Sequence, residues 1–357
     1  MRIVIARRLG RRGEGLGNEL LPWAKGFLAS QVLGAKLIGV SWGLNRRGYW
    51  KHFRTNRLDF LWEGLLSLLP THDFTEADYQ QSGEIDFGKA VLAWAANSKL
   101  IGRRFLIVRV GGMYGGYSAI ARAKPFLLSK LLASRDALPN LVRAQAGFDP
   151  ARLLVAVHVR GGDFTEMPED KSIRGQFCVR LPFFWFDRIC ESLRDQVGDK
   201  VQFWFCTDQQ TPEYQALVQK YNPNQFGGQG LMECSDLLIL ASADLRICSV
   251  SSYSLAACFL GSGPFIWCKD QLQLINGAYS IWGNEPMQAA ENGPTRVNSE
   301  FANEQAADGE LHLVRGYPIG LEGILPAALI RHLNSLREMR DPRTDLIYYG
   351  AVHETSL

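Results

Sequence analysis

The 357-residue sequence has no Asp-x-Asp triplet, no Cys-x-x-Cys pair and no repeat of fixed period. Without the first there is no obvious carboxylate pair to hold a divalent cation against a phosphate, so no metal is expected. Without the second there is no zinc site, and seven cysteines, an odd number, in a chain too large to need disulfide staples point to free thiols in a reducing compartment. The absent repeat excludes a solenoid. Net charge is low as well: 39 Lys and Arg face 36 Asp and Glu, leaving +3, too little to argue for bulk nucleic-acid binding. Long apolar runs are also scarce. Ile247 to Cys268 carries no charge over 22 residues, but its five serines together with Pro264 fit strand, helix and strand better than a membrane span. Only Ile3 to Ala6 separate Arg2 from the next arginine, which is a first strand and not the core of a signal peptide. A cytoplasmic location is therefore expected.

What is present is ordinary globular material, 46% hydrophobic and 21% charged, in a chain longer than the roughly 250 to 300 residues at which single cores stop growing. Two domains follow. Arg2 to Ala6 reads as a strand, a glycine-rich turn follows, Leu20 to Leu33 as a helix, and "AKLIGVSW" (35–42) closes a β-α-β unit. A helix is expected over Phe87 to Asn97, a strand over Arg103 to Val110, and helices over Pro125 to Leu141. Beyond a boundary near Gly147 to Arg152, strands at 153–159, 201–206, 245–249 and 264–267 alternate with helices at 183–196, 212–220, 233–242 (helix or loop) and 252–260. That alternation implies a doubly wound parallel sheet. Residues 283–310 read as a long loop, and 321–339 as a final helix packing back. The expected domains are 1–148, 149–320, and a C-terminal helix and tail over 321–357.

Chemistry concentrates where apolar strands turn polar. "LLVAVHVRGGDF" (Leu153 to Phe164) alternates along a strand, so His158 and Arg160 share a direction at its carboxyl end, and Gly161 and Gly162 let a ligand reach the backbone. An arginine fork there suits phosphate oxygens, although Arg160 pairing with Asp163 is an equally simple reading. "VQFWFCTD" ends in Thr207 and Asp208, and "LRICSVSSYSLAACF" ends in serines, of which Ser251 or Ser252 can cap a helix whose free N–H groups favour an anion. Three neighbouring strands turning polar at one end describe a cleft. Gly13-x-Gly15-x-Gly17 has the wrong spacing for a dinucleotide fingerprint.

These residues resemble a known group. "HVRGGD" (His158 to Asp163) is similar to the His-x-Arg-x-Gly-Asp motif of the α1,2-, α1,6- and protein O-fucosyltransferase superfamily. "DLLILASADLRICSVSSYSLAACFLG" (Asp236 to Gly261) resembles its last motif, "GEGLGNELLPWAKGF" (Gly13 to Phe27) its Gly-x-Gly-Asn-x-Leu motif, and "FCTDQQ" (Phe205 to Gln210) takes the place of its Ser-Asp-Asp strand end. The four blocks stand in the expected order, with most of the first domain unmatched.

The resemblance implies an α/β, GT-B-like fold, two Rossmann-like domains facing each other across a cleft. It implies an inverting transfer of fucose from GDP-fucose to a glycan hydroxyl, such as a bacterial surface polysaccharide, with no cofactor. Arg160 would bind the β-phosphate, His158 and Asp236 the guanine, Ser251 and Ser252 phosphate, and Gly15, Gly17 and Asn18 would approach the donor from the opposite domain. Asp208 would shape the nucleotide pocket, with Gln209 replacing a second aspartate. A carboxylate at Asp236 matches the paired N–H donors of guanine, which adenine lacks, while a helix N-cap is the plainer role for it. Arg160, Asp163 and Glu166 are the catalytic candidates, the last two as bases in a polar loop. Another GDP-sugar, or a non-catalytic GDP-sugar or glycan-binding module, remains an alternative. The basic run Arg7, Arg8, Arg11 and Arg12 is readable as a solvated loop, as an attractor for the donor or an anionic acceptor, or as a peripheral contact with the inner membrane. Aromatics in Ser41 to Phe53 suit a protein partner or acceptor sugar rings. The acceptor, its linkage and the oligomeric state are not fixed by the sequence.

Overall fold

The computed structural model describes residues 1–10, 13–53, 61, 64–66, 68–166, 173, 179–225, 228–261, 263–275, 278–280, 289–290, 293–294, 304–305, 311–312 and 316–339. The expected loop at 283–310, together with Arg11 and Arg12, falls outside them but for three residue pairs. The chain divides into two compact units, Met1–Arg135 and Asp136–Leu357, each built on a parallel sheet. Mixed α/β architecture is thus as expected.

In the first unit, β1 (Arg2–Ala6), β2 (Lys36–Ile38), β3 (His72–Asp73) and β4 (Leu106–Val110) form a sheet in the order β2-β1-β4-β3. Helix α1 (Leu16–Leu33) packs on β1 at close range because it presents Gly26 there: a Cβ on that residue would lie 2.6 Å from the Ala6 Cβ. Helices α2 (Glu76–Ser82), α3 (Phe87–Asn97) and α4 (Lys124–Leu132) complete the unit. Two charged side chains are buried in α1. Lys25 donates to Gly112 O at 3.0 Å and Tyr114 O at 2.6 Å and stands 3.5 Å from the centre of the Tyr114 ring, which ties the loop after β4 to the helix. Burial holds its ammonium well below the usual lysine range. Glu19 accepts from the N–H groups of Leu9 and Glu14 and so shapes the β1–α1 loop.

The second unit opens with α5 (Ala137–Ala146), followed by β5 (Leu153–Val159), α6 (Phe183–Val197), β6 (Val201–Thr207), α7 (Pro212–Tyr221), α8 (Glu233–Ser242), β7 (Leu245–Cys248), α9 (Ser252–Leu260), β8 (Phe265–Cys268), β9 (Gly316–Ile319) and α10 (Ala327–Met339). Its sheet runs β9-β8-β7-β5-β6, all parallel. Alternation sorts β5 into two faces. Leu153, Val155, Val157 and Val159 join one core with Trp185 and Phe186 of α6, Leu217 of α7 and Leu329 and Leu333 of α10. The other face carries His158 against α9.

Several element bounds differ from the sequence reading. Helix α1 begins at Leu16, so Gly17 and Asn18 lie in its first turn and not in a glycine-rich loop. The second strand is only Lys36–Ile38, and Trp42–Leu44 turns into a 3-10 segment. The helices expected over 125–141 are Lys124–Leu132 and Ala137–Ala146, the second running past Leu141, and they are split where Asp136 adopts φ 64° and accepts from Leu231 N. That bond, with Asn140 donating to Gln229 O and Leu231 O, joins α5 to the second unit, placing the division at 135 and not at 148. The C-terminal helix starts at Ala327 and belongs to the second core. Ile247 to Cys268 resolves into the end of β7, α9 and β8, and no described helix is long and apolar enough to cross a membrane.

One buried cation fixes the α8–β7–α9 arrangement. Arg246 of β7 is fully buried and donates to Leu240 O at 2.8 Å, Gly263 O at 2.6 Å and Ala241 O. Two of these carbonyls end α8, where the helix dipole is negative and the carbonyls lack intrahelical partners. Replacing Arg246 with methionine strands buried acceptors, and a loss of about 3 kcal/mol is expected. Urea unfolding of Arg246→Met should show it as a lowered midpoint, with Arg246→Lys recovering only part because an ammonium lacks the fork.

Candidate functional site

The second sheet changes direction at β5: the chain continues to β6 on one side and later to β7 on the other. Such a point opens a crevice at the carboxyl ends of the strands, where open α/β sheets take ligands. Ser249, directly after β7, bridges it by donating to His158 O and accepting from Arg160 N, both at 2.9 Å. Asp208, directly after β6, closes the other side. Its Oδ1 accepts from Gly161 N at 2.8 Å and Gly162 N at 3.1 Å, and its Oδ2 lies 2.8 Å from Arg160 Nη1. Glycine is required at 162, since a Cβ there would sit 2.3 Å from Asp208 Oδ2.

Arg160 is therefore held from two sides, by Asp208 and by Asp163 at 2.6 Å. The guanidinium is mostly buried at 16% exposure, whereas Asp163 is 52% exposed. Arg160 Nε is buried with no hydrogen-bond partner. Around it the serines take distinct roles. Ser251 caps α9 by accepting from Ser254 N at 3.2 Å, and Ser252 is the first helical residue. The helix therefore brings its free N–H groups to the same end of the sheet.

His158 is buried, with Nδ1 2.7 Å from Ser254 Oγ and its ring 5.0 Å from that of Tyr253. Burial, helped by Arg160 and opposed by Asp208, pushes the imidazole down to about 3, so it is neutral at neutral pH. Asp236 lies one turn into α8, whose N-cap is Met232, so it does not cap the helix. Its Oδ1 is buried without a partner, and burial with Glu233 nearby raises the carboxyl to about 8. Its charge acts on Cys206, the register partner of His158 on β6. Tyr253 donates to Glu233 O at 2.6 Å and pins the start of α9 to that of α8.

Two solved structures are similar to this chain. A fucosyltransferase NodZ from Bradyrhizobium is 15% identical, covering 73% of this chain and 94% of its own, with a TM-score of 0.43. A NodZ alpha-1,6-fucosyltransferase soaked with GDP-fucose is 14% identical, covering 73% and 93%, with a TM-score of 0.42. No protein-family model matches the chain, and no curated protein does. At this identity and TM-score the likeness says nothing of substrate.

The second unit thus joins Arg160 with Asp163 and Asp208, and His158 with Ser251 through Ser254, while Ser252 begins α9 and Asp236 lies in α8. Gly15, Gly17 and Asn18 lie in the first unit: Gly15 is the N-cap of α1, Tyr117 Oη donates to Gly17 O, and Asn18 Oδ1 is buried without a partner. Glu166 is 83% exposed and pairs with Arg180 at 3.1 Å. Arg180 itself was not foreseen. It also donates to Gly161 O at 3.1 Å and Gln209 Oε1 at 2.6 Å, bracing the glycine loop from outside. Among the described residues no group of His, Cys, Asp or Glu forms a metal-ligand set.

The raised carboxyl of Asp236 has a thermodynamic signature. Its folded value, about 8, lies above its unfolded value, so the folded state keeps a proton that the unfolded state has released, and stability falls as pH rises to about 8. Glu19, raised to about 7, has the same sign, while His158 acts oppositely and only below its unfolded value near 6.5. Urea midpoints at constant ionic strength should therefore fall between pH 7 and 8, and Asp236→Asn should flatten that interval.

Proposed function

We propose that the chain is an inverting glycosyltransferase that moves fucose from GDP-fucose to a hydroxyl of a glycan acceptor, with an arginine and a helix N-terminus serving the diphosphate without a metal. The observation that carries the reading is the buried Asp236 oxygen with no hydrogen-bond partner, in the same unit as the buried neutral His158 and Arg160. A carboxylate in that position accepts from both the ring N–H and the exocyclic amine of guanine, and Arg160 with the first turn of α9 takes the phosphates.

In the proposed reaction the acceptor oxygen attacks the anomeric carbon from the face opposite the diphosphate. The new C–O bond forms as the bond to the β-phosphate oxygen breaks, and GDP leaves with the electron pair. Arg160 stabilises that developing charge in a site preorganised by Asp208. The hydroxyl proton passes to a carboxylate. Asp163 and Glu166 are the two candidates, each paired with an arginine, Arg160 and Arg180 respectively. The β-phosphate displaces Asp163 from Arg160 on binding.

Arg160→Ala should lower turnover of GDP-fucose by roughly a hundredfold, about 3 kcal/mol in the transition state. Wild-type turnover in that variant would defeat the reading. A panel of GDP-sugars fixes the donor, and tight GDP binding with no product from any acceptor would make the chain a binding module. Binding itself should release about one proton at pH 7, because guanine donors favour the charged form of Asp236. Calorimetry in buffers of different ionisation enthalpy measures it, and Asp236→Asn should abolish it.

A further inference from the structure

The first sheet has a direction change of its own. From β1 the chain goes to β2 on one side and later to β4 on the other, so a second crevice opens at the carboxyl ends of β1 and β4. The structure has a cavity of about 680 Å³ there, walled by the segments that leave β1, β3 and β4. Arg7 and Arg8 follow β1, Phe74 and Thr75 follow β3, Arg109 and Val110 end β4, and Gly111 and Tyr114 come from the loop after it.

The walls are held by bonds that leave the cavity itself open. Arg7 N donates to Val110 O at 2.8 Å, joining the strand ends, and a Cβ on Gly111 would sit 3.1 Å from Arg7 O. Lys25 and Glu19 fix the two loops from beneath. Charge is distributed unevenly. Asp73, the carboxylate in the wall, is spent on Arg109 through two parallel bonds of 2.5 Å, and Asp78 caps its own helix through Thr75. Arg8 lies near the Glu19 carboxylate, while Arg7 is exposed and has no ion pair among the described residues. The cavity thus combines a cationic rim with the partly exposed Tyr114.

We propose that this cavity binds an acidic sugar, a ring bearing a carboxylate or a phosphate, through Arg7 and Arg8. A cationic rim beside the Tyr114 ring matches an anionic group attached to a hydrogen-bonding ring, and a neutral sugar would leave Arg7 unused. The site goes beyond the donor reading, since it lies wholly in the first unit and stands even if GDP does not bind.

The test is calorimetric titration of the full chain with a glucuronate-terminated disaccharide, its neutral glucose-terminated counterpart, glucose 6-phosphate and inorganic phosphate. The acidic sugars should bind at least tenfold more tightly than the neutral one, and whichever anion binds better identifies the group. Arg7→Glu, a change at an exposed residue, should remove that binding while leaving the urea midpoint and GDP affinity unchanged. Equal binding of acidic and neutral sugars overturns the proposal. So does inorganic phosphate binding as well as the sugar phosphate, or loss of GDP affinity in Arg7→Glu.

Discussion

The carboxylate of Asp208 is the contact on which the site depends. It joins the ends of β5 and β6 by accepting from two consecutive backbone N–H groups while pairing with Arg160. A carboxylate that satisfies peptide donors and a guanidinium at once fixes the backbone and the charge that backbone carries. Gly162 is there because a side chain on it would collide with Asp208 Oδ2. Arg160 is thereby preorganised before any ligand arrives, which is the condition under which a cation stabilises developing charge most effectively.

The two units repeat one physical solution. Each is a parallel sheet whose order reverses beside a strand of its own, leaving a crevice bordered by loops that need not pack. In each, polar groups buried beneath the crevice shape the loops above it, Glu19 and Lys25 in the first and Ser249 in the second, while Arg246 ties down the segments that enter β7 and β8 at the opposite end of the sheet. Their positions are costly unless every donor finds an acceptor, and Lys25 and Arg246 meet that condition with backbone carbonyls and not with counter-charges.

Much of the second unit was legible because its signals are local. The run Leu153 to Val159 closes on glycines, Thr211 and Ser251 cap the helices that follow them, and these elements fall within a residue or two of their expected bounds. In the first unit the cues were weaker. Gly15 and Gly17 read as loop, yet Gly17 is helical, because burial of Leu16 and Leu20 outweighs glycine's low helix propensity. His158, Arg160 and Asp208 were readable as polar ends of apolar strands. Arg180 was not: it reaches Gly161 from 19 residues away, and nothing in its surrounding sequence marks it. The burial of Asp236 was equally hidden, since it depends on how α8 packs beside α9 and not on any pattern within α8.

The six described cysteines, all buried, are distributed through the second unit from α6 to β8. Loss of hydration raises the thiols of Cys190, Cys206, Cys258 and Cys268, the last to about 12. Because the thiolate is the species that attacks electrophiles, a folded molecule is close to inert toward alkylation, and each sulfur becomes reactive only when its own layer opens. Cys206 beneath the crevice and Cys190 on the far side of the sheet are thus separate clocks, whose labelling rates would distinguish breathing of the ligand-facing layer from opening of the opposite core.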